Sequence, residues 1–416
     1  MTATVRRMQD LTVTEHTITV PLVWGDESDT RTIDVFAAVV TRDGGEDLPY
    51  LVFLQGGPGF EAPRPFHAPS SPSWLDAALQ DHRVVMLDQR GTGRSTPVGD
   101  GLLEELGSPA AAEYLTHLRA DSIVRDAEAL RAELGVETWN LLGQSFGGFT
   151  VLTYLSTHAG ALDRVYTTGG LSTVEHTVDE VYTLSYDKMR TASEKYYRRF
   201  PEHRERMRRL VDLAAAGQLV LPDGEVVSVS RLRSVGSALG TNDGWQTVWS
   251  LLELDPHTNA FRYDLAAAMP FGGRNPLYFA FHESCYADAQ TTRWSAERME
   301  PADFVSDVTL FTGEHIRREW TETVPALRPW REVALTLADH EWPALYDAEA
   351  LAASDARGAA AVYVNDVYVS LEHSLETASL LPGLKLWVTS EHEHNGLRSG
   401  DVLQRLLDLA HDRRVR

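Results

Sequence analysis

The sequence predicts an α/β protein with a mostly parallel central sheet, helices on both faces of the sheet and an inserted helical cap domain. Short apolar runs alternate with segments of helical spacing near both ends of the chain, as in strands joined by crossover helices. Between residues 171 and 346 this alternation stops, and the sequence becomes predominantly helical and rich in Arg, Glu and aromatic residues. We therefore expect a core at residues 1–170 and 347–416 and a cap at residues 171–346.

The strands are predicted from two kinds of pattern. Residues 11–23 and 32–40 alternate apolar with polar side chains, which is typical of antiparallel edge strands. Strands that are buried on both faces instead have short, continuous apolar runs. Six runs of this kind are predicted strands: residues 49–54, 83–87, 139–142, 162–168, 359–364 and 384–389.

Helices of the core are predicted where apolar residues recur at helical spacing. The longest such segment, residues 114–134, ends before Gly135, and glycine commonly terminates helices. Three further helices are predicted at residues 149–155, 371–380 and 400–412.

The composition limits the partners of the chain. Of its 416 residues, 43% are hydrophobic and 24% are charged, which is the profile of a globular protein and not of a disordered or fibrous one. The formal net charge of −22 opposes association with nucleic acids and anionic membranes, since both are polyanions. We therefore expect no nucleic acid partner and no membrane partner.

The sequence also carries an expectation about location. The single cysteine, Cys285, excludes an intrachain disulfide and gives no sign of an oxidising compartment. No apolar run approaches the length of a membrane span, and residues 1–10 contain two arginines without an apolar stretch behind them. We expect no signal peptide and a cytoplasmic location.

Residues 143–147 have the sequence Gly-Gln-Ser-Phe-Gly, where a predicted strand gives way to a helix. A serine at a sharp strand-to-helix turn is strained, and small residues two positions before and after it let the turn close. A helix that begins directly after the serine directs its free amide groups and positive dipole end at the site. We interpret Ser145 as a nucleophile on this elbow. The pattern also arises by chance in glycine-rich turns, so its context must decide.

Two further loops follow predicted strands. Residues 55–59, Gln-Gly-Gly-Pro-Gly, would let backbone amides approach a ligand, although an ordinary tight turn has a similar composition. Residues 88–95, Asp-Gln-Arg-Gly-Thr-Gly-Arg-Ser, could bind phosphate but lack the lysine of a P-loop, and no helix-forming segment follows directly. We interpret residues 88–95 as a loop that supports the active site.

A serine nucleophile needs a base within hydrogen-bond reach and a third group that fixes the tautomer of the base. In open α/β sheets the site lies beyond the carboxyl ends of the strands, so these partners should follow late strands. Asp366 and His394 meet this requirement, and the chain order Ser145, Asp366, His394 is the order of an α/β-hydrolase triad. His392, two residues before His394, is a competing candidate for the base.

At these motifs the sequence resembles the prolyl aminopeptidases, or proline iminopeptidases, which are serine peptidases of the α/β-hydrolase superfamily. The resemblance rests on residues 56–59, 88–95 and 143–148 together with the two late loop residues, and the Asp-Gln-Arg-Gly-x-Gly-x-Ser string is its most specific part. It covers the core well and the cap only loosely. Gln55 departs from the family, which usually has histidine there; as a loop support, its replacement is not expected to abolish activity.

The resemblance implies a role for each residue of the site. Ser145 would attack the scissile carbonyl, His394 would accept and return its proton, and Asp366 would orient the imidazole. The backbone amides of Gly57 and Phe146 would hold the tetrahedral oxyanion. We expect no cofactor and no metal ion.

In the family, two glutamates from the cap recognise the cationic N-terminus of the substrate. Residues 249–253 and 282–286 look similar to the segments that carry them, so Glu253 and Glu283 are the candidates. Either could equally be one of the many solvated glutamates of a helical cap. Cys285 and Tyr286 are expected to line the pocket for the pyrrolidine ring, and Cys285 is otherwise a small buried apolar residue.

The sequence therefore predicts a serine aminopeptidase that releases N-terminal proline from peptides through an acyl-enzyme intermediate. Another α/β-hydrolase activity remains open, namely an aminopeptidase of broader specificity, an amidase or an esterase. A catalytically silent ligand-binding protein of the same fold is a more remote alternative. The sequence leaves the oligomeric state open.

Overall fold

The computed structural model describes residues 2–66 and 70–413. Residues 1, 67–69 and 414–416, which fall in the predicted core, lie outside the described residues. Within the described ranges, nine strands form one sheet. They are β1 (Thr2–Met8), β2 (Leu11–Pro21), β3 (Thr32–Arg42), β4 (Tyr50–Leu54), β5 (Arg83–Leu87), β6 (Trp139–Gln144), β7 (Leu162–Thr168), β8 (Gly358–Tyr363) and β9 (Leu384–Thr389).

The strand order is β1-β2-β3-β5-β4-β6-β7-β8-β9. The pairs from β1 to β5 along this order are antiparallel, and all pairs from β5 to β9 are parallel. This confirms the predicted mostly parallel sheet with two antiparallel strands leading into it. Strand β1 was not predicted, because its alternating pattern is short and is interrupted by adjacent arginines.

Four helices precede or follow the strands of the first half of the core. They are α1 (Leu75–Asp81), α2 (Asp100–Thr116), α3 (Ala120–Glu133) and α4 (Phe146–His158). The prediction of one helix over residues 114–134 was wrong, because the chain breaks between α2 and α3. At this break Arg90 Nη1 donates a hydrogen bond of 2.7 Å to the carbonyl of His117, the residue after α2. A tertiary contact therefore takes the place of a continuing helix.

The helices cover both faces of the sheet, as predicted. Alternate side chains of β4 belong to different clusters: Val52 packs with helices α2, α3 and α4, while Phe53 packs with α1 and the last helix of the chain. In β6, the strand before the elbow, Leu141 likewise belongs to the first cluster and Leu142 to the second. Because side chains of a strand alternate between faces, one short apolar run serves both layers of the core.

Between β7 and β8 the chain forms short and long helices and a single isolated bridge, and all of these except α15 lie in the region predicted as the cap. The α-helices are α5 (Val178–Arg199), α6 (Glu202–Ala215), α7 (Val229–Arg233), α8 (Gly244–Glu253), α9 (Asn259–Ala268), α10 (Pro276–Ala280), α11 (Ser295–Arg298), α12 (Ala302–Ser306), α13 (Trp320–Thr323), α14 (Arg331–Asp339) and α15 (Ala348–Ala353). The bounds of the cap at residues 171 and 346 stay a prediction.

Three helices complete the core: α16 (Leu371–Ser379), α17 (Gly396–Ser399) and α18 (Val402–Ala410). Four short 3-10 helices lie at Ala159–Ala161, Ser234–Gly240, Glu283–Tyr286 and Pro325–Trp330. Within the described ranges, no helix combines the length and apolar character needed to cross a membrane.

Candidate active site

Ser145 lies at the turn between β6 and α4, where the sequence predicted an elbow. Its backbone is strained, with φ 55° and ψ −124°. A Cβ atom at Gly143 would lie 2.5 Å from the carbonyl oxygen of Gly147, and one at Gly147 would lie 1.9 Å from that of Leu54. Only glycine fits at either position, so the two glycines allow α4 to start directly above the sheet.

The surroundings of Ser145 also contain the two amides expected to bind an oxyanion. Phe146 is the first residue of α4, so its N–H has no acceptor within that helix. The loop after β4 passes close to the serine, since a Cβ atom at Gly56 would lie 3.0 Å from Ser145 Cβ. Gly57, the next residue, lines the same cavity as Ser145. Amides from two different elements therefore lie beside the serine.

Asp366 follows β8 and His394 follows β9, and the two side chains are in contact. His394 Nδ1 lies 2.7 Å from Asp366 Oδ2. The other carboxylate oxygen accepts hydrogen bonds from the backbone N–H groups of Tyr368 and Val369, at 2.9 and 3.0 Å. The carboxylate is fully buried and is held in one orientation. It can therefore fix the imidazole tautomer that leaves Nε2 free to act as a base.

Two opposing effects set the pKa of His394. Burial alone would lower it, because the charged imidazolium loses its hydration. The charge of Asp366 and its hydrogen bond act in the other direction, with a contribution from Glu314, and raise the pKa of His394 above its usual range. The imidazolium that forms during acyl transfer is thus stabilised by its neighbours.

Ser145 and His394 line one cavity of about 220 Å³ at the carboxyl edge of the sheet. Three aromatic residues and two charged residues share it: Phe60, Tyr278, Tyr368, Glu314 and Arg398. His392, the competing candidate for the base, does not line this cavity, and its Nδ1 lies 3.2 Å from the side-chain amide nitrogen of Asn242. The geometry thus combines a serine, a base, an acid and backbone amides, which is the set that acyl transfer requires.

Comparisons with known proteins identify the fold and the family of this chain. A model of the alpha/beta hydrolase fold matches residues 49–218. A proline iminopeptidase of Aeromonas sobria is 39% identical to this chain, over 95% of the chain and 96% of that protein. The chain belongs to the proline iminopeptidase family. A proline iminopeptidase of Aspergillus aculeatus is 28% identical and covers 92% of this chain and 91% of its own. The predicted family and α/β-hydrolase fold are confirmed.

In this member of the proline iminopeptidase family, the structure brings Glu314 into the cavity, a residue that the sequence did not single out. Its carboxylate accepts a hydrogen bond from the hydroxyl of Tyr278 and lies 3.6 Å from Nε2 of His282. Burial raises the pKa of Glu314 to about 7, against the hydrogen bond from Tyr278. Residues 311–316, Phe-Thr-Gly-Glu-His-Ile, have no apolar run or helical spacing, so no local pattern of the sequence indicated a buried carboxylate here.

Glu283, a candidate for binding the substrate amine, does not line the cavity that holds Ser145. Its carboxylate accepts hydrogen bonds from the backbone N–H groups of Ser295 and Ala296, at 3.1 and 2.9 Å, where α11 begins. Burial raises the pKa of Glu283 to about 7, and these two hydrogen bonds oppose the rise. Its contacts are those of a residue that caps a buried helix end.

Glu253, the other candidate, is also outside this cavity. It lies at the end of α8 and forms ion pairs with His203 at 2.9 Å and with Arg206 at 2.6 Å. Cys285 is buried without lining the cavity. Tyr286 contacts the ring of Phe149 in the elbow helix, with ring centroids 5.5 Å apart. The structure thus brings Tyr286 near the elbow without placing it among the residues that line the cavity, and it keeps Glu253 in a separate ion-pair cluster.

The loop at residues 88–95 holds the oxyanion loop in place, as interpreted from the sequence. The side-chain amide of Gln89 donates a hydrogen bond of 3.0 Å to the carbonyl of Gln55. Asp88 is buried and accepts hydrogen bonds from Arg64 and from the backbone N–H of Arg94. Gln89 therefore holds the backbone next to the active-site glycines, and the contacts of Asp88 with Arg64 and Arg94 hold residues 88–95 themselves in place.

Two groups of side chains in the described part of the chain could hold a metal ion, and neither lines the cavity of Ser145. One group consists of His176, His373 and Glu376, and the other of Glu202, His203 and Glu253. In the second group Arg206 competes for the carboxylate of Glu253, which disfavours a cation. The candidate active site itself contains the groups of metal-independent acyl transfer.

Proposed function

We propose that this enzyme of the proline iminopeptidase family releases N-terminal proline from peptides through an acyl-enzyme intermediate. The family membership supports this activity, and its relatives are named proline iminopeptidases. The proposal rests mainly on one cavity that is lined by the strained Ser145 and by His394, which pairs with a buried aspartate. The same cavity holds the carboxylate of Glu314, which has no lysine or arginine partner in the described part of the chain.

In the proposed mechanism Ser145 Oγ attacks the carbonyl carbon of the N-terminal proline while His394 Nε2 takes the hydroxyl proton. Asp366 stabilises the imidazolium that results. The amides of Gly57 and Phe146 donate hydrogen bonds to the oxyanion, whose charge develops beside the start of α4. His394 then protonates the leaving amine, and a water molecule hydrolyses the prolyl ester of Ser145 by the same steps in reverse order.

Glu314 is proposed to bind the secondary ammonium group of the substrate proline. The carboxylate is oriented by Tyr278 and, within the described residues, has no lysine or arginine partner to neutralise it. A cationic ligand would stabilise its ionised form, because attraction between charges is less screened in a buried site than in water. The rings of Phe60, Tyr278 and Tyr368 offer apolar surface to the pyrrolidine ring.

The activity is tested with arylamides of proline and alanine and with a neutral acyl ester that lacks an amine. Proline arylamide is expected to be the best substrate, and Ser145→Ala is expected to abolish its turnover while the circular dichroism spectrum stays unchanged. Retained turnover in Ser145→Ala would refute the mechanism. A preference for the acyl ester would indicate the esterase alternative, and the absence of turnover with all three substrates would indicate a ligand-binding protein.

The role of Glu314 is tested by comparing Glu314→Gln with Glu253→Gln. Glu314→Gln should raise KM for proline arylamide about tenfold or more, the size of a lost charge-assisted hydrogen bond, and should leave KM for the acyl ester within about twofold. Glu253→Gln removes the same charge from a residue outside the cavity and serves as the control. A larger effect in Glu253→Gln would assign the amine to that residue, as the sequence predicted.

Peptide substrates follow from this activity. A cytoplasmic location and the absence of nucleic acid and membrane partners stay predictions of the sequence.

A further inference from the structure

The cavity that holds Ser145 contains a second charged side chain, Arg398, which the proposed mechanism does not use. Arg398 lies on the four-residue helix α17, one helical turn after His394. Its side chain is exposed, so the guanidinium is accessible to a ligand that enters the cavity. It therefore lies within reach of a ligand that is bound beside Ser145.

Two neutral amides hold the guanidinium in place. Arg398 Nη2 donates a hydrogen bond of 3.0 Å to Oε1 of Gln144 and lies 3.5 Å from Oε1 of Gln55. Gln144 directly precedes the proposed nucleophile, and Gln55 precedes the glycines of the oxyanion loop. The cation is thus positioned next to both parts of the acyl-transfer machinery.

Arg398 bonds to neutral groups, as Arg119 does, whereas two other arginines, both buried, pair with carboxylates. Arg90 pairs with Asp126 and Arg231 pairs with Glu225, in each case through a buried carboxylate. Arg398 has no carboxylate partner among residues 2–66 and 70–413, although the chain carries 60 Asp and Glu residues. Its planar donor fork is therefore available for a carboxylate from outside, which arginine can bind in a bidentate manner.

The cavity thus presents one negative and one positive group to a substrate. The charges of Glu314 and Arg398 act on His394 in opposite directions, which shows that both lie close to the proposed base. A dipeptide is a zwitterion whose amine and carboxylate are separated by two residues of chain, roughly 7 Å when extended. Each additional residue would move the carboxylate about 3.3 Å further from the amine. A dipeptide is therefore the peptide that we expect to place both charges within this one cavity.

We propose that Arg398 binds the free C-terminal carboxylate of a dipeptide substrate, so that the enzyme prefers proline dipeptides to longer or C-terminally amidated peptides. This specificity rests on the proposed function, since Glu314 and the triad must hold the other end of the same substrate. Arg398 makes no contact with the bond that breaks. It determines which substrates are preferred by binding the C-terminal residue, which leaves as the amine product.

The test compares kcat/KM for prolyl-alanine with kcat/KM for prolyl-alanine amide, in the wild type and in Arg398→Gln. The wild type should favour the free acid by about tenfold, the size of a charge-assisted hydrogen bond at a solvent-accessible site, and Arg398→Gln should reduce this ratio to within about twofold of unity. Both substrates have the same scissile bond, so a general disturbance of the elbow cancels in the ratio. Arg398→Lys, which keeps the charge without the fork, should give an intermediate ratio.

Arg405→Gln is the matched control, because Arg405 lies on α18 and pairs with Glu391 and Asp401 outside the cavity. It loses the same charge and should keep the wild-type ratio. The same two ligands are also titrated calorimetrically into Ser145→Ala and into the double variant with Arg398→Gln, so that the ratio of Kd values is obtained even if turnover is slow.

The outcomes separate this inference from the proposed function. An equal ratio in the wild type and Arg398→Gln overturns the role of Arg398, while turnover of proline arylamide by the wild type still supports the activity. A fall of the ratio in Arg405→Gln as large as in Arg398→Gln would also overturn it, because a general effect of charge would then explain the preference. A wild type that releases proline from none of these substrates contradicts the proposed function itself.

Discussion

The properties of His394 depend on one neighbouring side chain more than on the fold around it. Burial alone would lower the pKa of His394, and the nearby carboxylate of Asp366 reverses that tendency and raises the pKa. The carboxylate can do so because two backbone N–H groups hold its other oxygen. A single residue therefore determines both the orientation and the basicity of the proposed base.

Asp366→Asn should change the pH dependence of catalysis as well as its rate. In the wild type, kcat/KM for proline arylamide should fall as the pH drops through the pKa of His394, above the usual value near 6.5. Without the negative charge, burial lowers this pKa, so the acidic limb should move to lower pH. We also expect kcat to fall by about 10³–10⁴-fold, because the wrong tautomer is then stabilised. An acidic limb at the wild-type pH would contradict this account.

The residues of the proposed triad could be singled out in the sequence because each lies in a turn or loop after a strand, and strands are visible in the sequence as apolar runs. Glu314 and Arg398 were not predicted, for different physical reasons. Glu314 lies in an irregular segment between α12 and α13, whose path depends on cap packing that no local pattern records. Arg398 is one of many arginines, and only its place in the cavity of Ser145, which is set by the three-dimensional structure, distinguishes it. Glu253 matched a family segment, yet the structure places it in an ion-pair cluster.

At the scale of elements, the elbow depends on close contact between backbones. Helix α4 starts so near the end of β4 that Gly147 touches the carbonyl of Leu54. Because the two elements are this close, the first backbone amide of α4 and the loop after β4 both lie beside Ser145. The glycines of the motif are therefore required by packing between elements as well as by the turn itself.

Gly147→Ala should destabilise the protein strongly, because its Cβ would lie 1.9 Å from the carbonyl oxygen of Leu54. We expect the free energy of unfolding in urea to fall by about 3–5 kcal/mol, the upper range for single substitutions, together with a loss of activity. Gly160→Ala is the control, since nothing lies within 4 Å of its added Cβ, and should stay within about 0.5 kcal/mol of the wild type. Equal stability of the two variants would show that α4 can shift without cost.

The break between α2 and α3 shows where the sequence could not predict an element. Apolar residues continue at helical spacing through residues 114–134. However, the side chain of Arg90 donates a hydrogen bond to the carbonyl of His117, and that of Arg119 donates one to the carbonyl of Ala287 in the cap region. These contacts connect residues far apart in the chain, so local helical spacing carries no information about them. Tertiary hydrogen bonds then outweigh the preference for one continuous helix.

At the scale of the whole molecule, Arg119 connects the core to the helical region above it. The residue directly precedes α3 and is 1% exposed. Its guanidinium donates hydrogen bonds to the backbone carbonyls of Ala287, at 2.6 Å, and Pro343, at 2.5 Å, and lies 4.9 Å from the ring centre of Trp342. Burial lowers the pKa of Arg119, because the surrounding acids are too distant to compensate fully. One core cation thus holds two separate segments of the cap region.

Arg119→Ala should loosen the cap region over the active site. It removes two charge-assisted hydrogen bonds and leaves the buried carbonyl of Ala287 without this donor, so we expect the free energy of unfolding to fall by about 3 kcal/mol. Hydrogen exchange measured by mass spectrometry should accelerate in peptides that contain residues 284–287 and 343. Arg125→Ala, an exposed substitution on the same helix, should change neither quantity. Unchanged exchange at residues 284–287 in Arg119→Ala would mean that other contacts hold these segments.

Because Tyr286 packs against the elbow helix through Phe149, KM for proline arylamide should rise in Arg119→Ala and not in Arg125→Ala.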